Sequence, residues 1–213
     1  EVLAQPGPTD SVFDVLAASI RVFSQGDHVG ILGFAGGGLI APLRAMGGGQ
    51  RLCGVDLDRS GYELFCDLSD DWQGDVHFAE SDAVEWLRAQ RGRFDLLLED
   101  LSVGRDGDVF KPEVSIETLP QLIQSKLKPG GVAIFNLLPP DDRTWGEMAA
   151  KVCGPFSFGV QVSFESYYNR VLALANGALP PTREVSRLLH GELAGIGSEM
   201  EADINVRSLR LGN

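Results

Sequence analysis

Residues 28–38 read HVGILGFAGGG, and the fold turns on this stretch. The apolar run from His28 to Phe34 has the length and composition of a strand buried on both faces, as in a parallel sheet. It leads directly into Gly36, Gly37 and Gly38. Residues 39–46, LIAPLRAM, then read as a short helix. Pro42 is tolerable in its first turn, where backbone N–H groups have no partner within the helix. A second cluster, Gly47, Gly48 and Gly49, ends that helix.

Outward from this unit the alternation repeats. Residues 51–56 (RLCGVD) predict a second strand and 60–68 a helix. Residues 76–79 predict a short third strand, and 82–88 a helix that Asp82 is well placed to cap. The fourth expected strand is 94–100 (FDLLLED), followed by a loop rich in Gly and Asp (102–108) and a helix around 116–126. Lys128-Pro129-Gly130-Gly131 turns the chain into a fifth strand at 132–137, and 141–152 reads as a helix. Strands at about 159–164 and 170–175 are too close in sequence to hold a helix between them, so they should pair antiparallel. The pattern predicts an α/β fold: an open, mostly parallel seven-stranded sheet with a C-terminal antiparallel hairpin and helices on both faces. Residues 11–24 predict an amphipathic helix after a frayed lead-in. After Pro180-Pro181, residues 183–201 predict a terminal helix with Val185, Leu188, Leu189, Leu193 and Ile196 on one stripe. That stripe either caps the core or meets a partner subunit, the latter in a homodimer.

Composition narrows the class. A chain of 213 residues suffices for one sizeable core with an added element. Lys and Arg total 18 against 30 Asp and Glu, a formal net charge of −12. Only four of the basic residues are Lys, and none of them cluster into the stripe that grips a phosphate backbone. Neither nucleic acid nor a membrane surface is therefore expected as a partner. Apolar residues make up 44%, too many for a chain that cannot fold. Cys53, Cys66 and Cys153 cannot all pair within one chain and form no CxxC, so reduced thiols and a cytoplasmic location are expected. The longest uncharged stretch, 29–43, holds five glycines and a proline and cannot span a bilayer. No signal peptide opens the sequence as given. Glycine, at 26 residues, is in excess, and eleven of these lie between Gly26 and Gly61.

A glycine-rich turn between a first strand and a first helix lets backbone approach a nucleotide-like ligand, although a tight turn without a ligand uses the same residues. Here the turn is Gly33, Phe34, Ala35, Gly36, Gly37 and Gly38. Asp56 ends the second strand at the offset of roughly 20 residues expected of a ribose-binding carboxylate; a solvated turn residue is the alternative. Asp82, followed by Ala83, could reach an adenine amino group or serve only as a helix cap. Asp100 and Glu99 end the fourth strand, where successive side chains point to opposite sides, so at most one of them faces the site. Such a carboxylate could act as a general base or merely support the loop. His28, His77 and His190 lack metal-ligand spacing, and no metal is expected. Neither GxSxG nor GxxxxGK[ST] occurs, and Ala35 stands where GxGxxG would require glycine.

In this order the motifs are familiar. Residues 28–175, about 70% of the chain, resemble the S-adenosylmethionine (AdoMet)-dependent class I methyltransferase superfamily. Within it they are similar to the spermidine synthase-like, or polyamine aminopropyltransferase-like, branch. Residues 31–38 (ILGFAGGG) stand where that branch has a GGGDGG loop, and Val55-Asp56-Leu57-Asp58 looks like its ribose-binding V-E-I-D segment. Asp82-Ala83 resembles its D-A pair at the adenine. Phe94 to Asp100 matches its F-D-hydrophobic-D strand, with Asp100 on the first acid of its D-S-S-D loop. Residues 127–131 and 167–172 are similar to its later turn and closing strand.

The resemblance implies a Rossmann-like class I methyltransferase fold. It also implies a cofactor, AdoMet or decarboxylated AdoMet, lying across Gly33–Gly38 with its ribose on Asp56 and its adenine near Asp82 and Ala83. Asp100 would be the catalytic residue. On this reading 1–27 is a lead-in and helix, 28–176 the cofactor-binding domain and 177–213 a helical extension. Two departures bear on the reaction. Gly36 replaces the loop acid that in aminopropyltransferases holds the aminopropyl amine, and Val103 replaces the second acid of D-S-S-D. The first expectation is accordingly an AdoMet-dependent methyltransferase acting on a small, cationic or neutral acceptor. The alternatives are a polyamine aminopropyltransferase and a non-catalytic nucleoside-binding relative.

Overall fold

The computed structural model describes residues 2–105 and 107–211. Strands β1 (His28–Leu32), β2 (Arg51–Asp56), β3 (Val76–Glu80) and β4 (Phe94–Glu99) are followed by a small separate hairpin, β5 (Val103–Arg105) and β6 (Asp108–Phe110). Strands β7 (Leu127–Leu137), β8 (Phe158–Phe164), β9 (Arg170–Ala175) and β10 (Ile204–Leu209) complete the main sheet. Its order is β10-β8-β9-β7-β4-β1-β2-β3. Strands β3, β2, β1, β4 and β7 are mutually parallel, so their C-terminal ends share one edge. The remaining pairings, β7 with β9, β9 with β8 and β8 with β10, are antiparallel.

Successive residues of the central strands face opposite layers, as a pleated strand requires. Leu96 and Leu98 of β4 pack under α1 (Val12–Phe23), α2 (Ile40–Ala45) and α8 (Thr182–Gly195), whereas Leu97 packs on the other side. Phe65 of α3 (Ser60–Ser69) belongs to the first layer. The second layer holds α4 (Ala83–Ala89), α5 (Glu113–Glu117), α6 (Leu119–Lys126) and α7 (Trp145–Cys153), through side chains such as Leu87, Ile116, Ile123 and Val152. The expected α/β architecture with helices on both faces is therefore present. The closing strands form the expected antiparallel pair.

The sheet has eight strands rather than the expected seven. The terminal helix stops at Gly195, Gly197 takes a left-handed φ of 71°, and a short α9 (Met200–Asp203) leads into β10. That strand runs beside β8 from Ile204 opposite Phe164 to Leu209 opposite Gly159. The stretch expected to be a helical extension thus also supplies an edge strand. The single helix expected near 116–126 is two, because Pro120 lacks an N–H and sits in the first turn of α6, where none is needed. The helix expected from 141 begins at Trp145, fixed by a capping box between Thr144 and Glu147. Among the described residues no helix is long and apolar enough to cross a membrane.

Candidate functional site

Beyond the C-terminal ends of β1, β2, β3 and β4 lies a cavity of about 480 Å³, the usual location of ligands in open α/β sheets. Its floor depends on Gly33. The φ of this residue is 88°, and a Cβ there would stand 2.6 Å from the carbonyl oxygen of Asp100. Only glycine allows the loops after β1 and β4 to touch in this way. The N–H groups of Gly33 and Phe34 both donate to the carbonyl of Val55, at 3.0 and 3.1 Å. Ala35 is left-handed as well, at φ 44°, which costs an L-residue about 1–2 kcal/mol. Its N–H donates to Oδ2 of Asp56 at 2.7 Å, an interaction that offsets part of that strain.

Asp56 is oriented from both sides, since the Leu57 N–H donates to its Oδ1 at 2.7 Å. Each carboxylate oxygen keeps a lone pair for a ligand. Gly36 and Gly38 line the cavity, whereas Gly37 is not part of its wall; a Cβ on Gly37 would press on the rings of Phe34 and Phe65. The Phe34 ring is buried, edge-on to Tyr62, Phe65 and Phe78, so this residue serves the loop mainly through its backbone. Asp82 and Ala83 both line the cavity. Oδ1 of Asp82 caps α4 by accepting from the Val84 and Glu85 N–H groups, at 2.9 and 3.0 Å. Its Oδ2 has no partner among the described residues. Capping and ligand contact are therefore compatible at different oxygens.

The two acids ending β4 separate as the pleat dictates. Glu99 is fully buried, away from the cavity, and its carboxylate meets the Lys111 ammonium at 2.8 Å, the Ser115 hydroxyl at 2.7 Å and the Leu101 N–H at 3.0 Å. Lys111 also donates to the Leu101 carbonyl at 2.8 Å, which ties the β5–β6 hairpin to the sheet. Asp100 lines the cavity instead. Burial pushes its carboxyl up to about 6, against the pull of Lys111 and of a hydrogen bond from Asn136; Glu99 adds to the rise.

Asn136 and Asn169 went unnoticed in the sequence. Asn136 Nδ2 donates to Asp100 Oδ1 at 2.8 Å, and Asn169 Nδ2 donates to Asn136 Oδ1 at 3.0 Å. A buried amide at the end of the otherwise apolar run 132–137 was a usable signal for Asn136. Asn169 sits in the loop before β9 and offered none. Val12 and Phe13 of α1, with Val103 and Val109 of the hairpin, complete an apolar wall. The described lining thus carries three carboxylates, Asp56, Asp82 and Asp100, and no Lys or Arg. No cluster of His, Cys, Asp or Glu among the described residues is placed to hold a metal ion.

No family model matches the chain, and no curated protein matches it in sequence. Solved structures do match. A protein described as a probable spermidine synthase from Corynebacterium glutamicum superposes with a TM-score of 0.72 at 15% identity, over 96% of this chain and 76% of its own. Human methyltransferase-like protein 13, in complex with SAH, gives 0.67 at 20% identity over 85% and 89%. A SAM-dependent methyltransferase from Agrobacterium tumefaciens gives 0.58 at 12% over 78% and 62%. The chain therefore has the class I AdoMet-dependent methyltransferase fold, in a form that it shares with a spermidine synthase-like protein.

Proposed function

We propose that this chain is an AdoMet-dependent transferase, and specifically a methyltransferase acting on a small cationic or neutral acceptor. The observation that carries this reading is one cavity in which a backbone-lined glycine turn, Asp56, Asp82 and Asp100 meet at four adjacent strand ends. The donor chemistry fits the cofactor. AdoMet presents ribose hydroxyls, an adenine amino group, an ammonium and a sulfonium, all of which suit carboxylates, and one carboxylate, which backbone N–H groups of the glycine turn would have to meet. Asp56 would hold the ribose, the free oxygen of Asp82 the adenine amino group, and the backbone of residues 33–38 the remainder. When bound, AdoMet supplies an electrophilic methyl group, whose transfer demands chiefly an aligned acceptor lone pair.

Alignment and proton removal fall to this chain's own residues. Asn136 holds one oxygen of Asp100 and leaves the other to the cavity. With its carboxyl raised to about 6, Asp100 is ionised at neutral pH yet basic enough to accept a proton, the balance that general bases need.

Two variants test the cofactor half by calorimetry with S-adenosylhomocysteine. Asp56→Ala should weaken binding about 100-fold, the loss of charge-assisted hydrogen bonds to a diol. In Gly61→Ala the new Cβ would run into the carbonyl oxygen of Ala35. It should push the turn off Asp56, weakening binding about tenfold while overpacking costs about 1–3 kcal/mol of stability. Unchanged affinity in both would refute the assignment of the cavity. A second reading, aminopropyl transfer from decarboxylated AdoMet, draws support from the absence of Lys and Arg in the described lining, because the AdoMet carboxylate then has no cationic side chain to pair with. Tighter binding of decarboxylated AdoMet than of AdoMet would favour it.

A further inference from the structure

We propose that a second site, apart from the cavity, binds a phosphate monoester between the guanidinium groups of Arg170 and Arg207. It lies on the face of β8, β9 and β10 that turns toward α7, where the register sets its members side by side. Gln161 of β8 stands opposite Arg207 of β10 and opposite Leu172 of β9. Arg170 and Leu172 are two residues apart on β9, so their side chains share a face. Leu172 packs in the layer that holds α7, which places all four side chains on that side of the sheet. Asn169, the neighbour of Arg170, lines the cavity instead.

The side-chain groups left over here are donors. The Arg170 guanidinium lies 4.0 Å from the centre of the Trp145 ring, a cation–π contact that holds it and leaves its in-plane N–H groups free. Arg207 donates to Oε1 of Gln161 at 3.0 Å. A guanidinium only donates, so Gln161 must offer its carbonyl, and its NH₂ group is turned away from Arg207. Gln161 is only 4% exposed, and that NH₂ group has no partner among the described residues. A buried polar group in this state is an exception in folded proteins. Neither arginine has a carboxylate partner among the described residues, although Asp and Glu outnumber Lys and Arg by 30 to 18. Burial, and after it the charge of Arg207, lowers the pKa of Arg170, with no acid to offset them. Two cations facing one group suit a phosphate monoester, with its charge of about −1.5 to −2 at neutral pH, better than a carboxylate. Beside them a groove of about 370 Å³ is lined by Gly146, Ala149 and Leu209 among others. Gly146 follows Trp145, and Leu209 shares a face of β10 with Arg207, so the body of an ester has room next to its phosphate.

The test is calorimetry on the full chain at neutral pH, titrated with hexyl phosphate, inorganic phosphate and hexanoate. Hexyl phosphate should bind at least about tenfold more tightly than hexanoate, through its additional charge-assisted hydrogen bonds. It should also exceed inorganic phosphate about tenfold, because its alkyl chain is buried. Arg207→Gln, at an exposed position, should weaken hexyl phosphate about tenfold. Gln161→Glu, which sets a carboxylate against Arg207, should weaken it at least as much, whereas Asp56→Ala in the cavity should leave it unchanged. Melting temperatures of the variants separate loss of the site from loss of the fold, and if Gln161→Glu does not fold, Arg207→Gln decides. Hexanoate or inorganic phosphate binding as tightly as hexyl phosphate would overturn the assignment of the ligand. Absence of binding by either phosphate, or binding that is indifferent to Arg207→Gln or lost in Asp56→Ala, would overturn the site itself.

Discussion

Asp100→Asn should cut turnover by about 10²- to 10⁴-fold and, at neutral pH, make the protein more stable. The amide keeps an oxygen for Asn136 to donate to, so that contact survives while the proton acceptor is lost. Loss of a general base costs about 10²- to 10⁴-fold in rate, read as kcat/KM. The stability effect follows from linkage. Burial raises the folded-state carboxyl to about 6, from 3.8. Between those values the folded chain binds more protons than the unfolded one, so stability falls as pH rises through this window and stays lower above it. At pH 7 the ionised carboxylate costs about 2–3 kcal/mol, which for a chain of this size is a Tm lower by about 5 °C or more. Thermal melts from pH 4 to 8 should show the wild type losing ground to Asp100→Asn as pH rises, with the gap constant above about pH 7. Parallel curves would exclude a destabilising carboxylate at this position.

Lys111→Met should have the opposite consequence and the largest effect on folding. Lys111 and Glu99 are both buried, with side-chain exposures of 2% and 0%. Deleting the cation leaves the buried Glu99 carboxyl group with only the Ser115 hydroxyl and the Leu101 N–H to satisfy it. Breaking one side of a buried pair costs about 3–5 kcal/mol, and the denaturation midpoint should fall with no change in slope. The double variant Lys111→Met/Glu99→Leu should recover most of the loss, because apolar replacement of both partners removes the unpaired charge. A single variant as stable as the wild type would show that the pair contributes nothing. Lys111 also draws the Asp100 carboxyl downward, so the acidic limb of activity in Lys111→Met should move to higher pH.

These two positions also mark how far the sequence could be read. Apolar runs bounded by glycine identified the central strands, because a strand buried on both faces needs an unbroken hydrophobic stretch. The opposed directions of Glu99 and Asp100 followed from pleating alone. Strand β10 escaped notice even though Ile204, Asn205, Val206 and Arg207 alternate in polarity. Six residues after a long amphipathic helix gave no indication of which edge would receive them. At the site, Asp56 and Asp82 were legible because strand ends are, whereas Asn169 acquires its place only when β9 folds back beside β7. Gly37 shows the converse: within a run of three glycines nothing local separates those facing a cavity from one that packs on an aromatic ring.

The pleat at the end of β4 gives the two neighbouring acids separate fates under mutation. Glu99 is buried in the ion pair that anchors the hairpin, and Asp100 lines the cavity and accepts from Asn136. Because they point to opposite sides, position 100 can be exchanged without breaking the contacts of the anchor, whereas rebuilding the anchor as an apolar contact would remove the Lys111 and Glu99 charges that act on Asp100. Diversification of this chain toward other acceptors would therefore be expected to run through Asp100, Asn169 and the hairpin wall, with Glu99, Lys111 and Ser115 holding the frame constant.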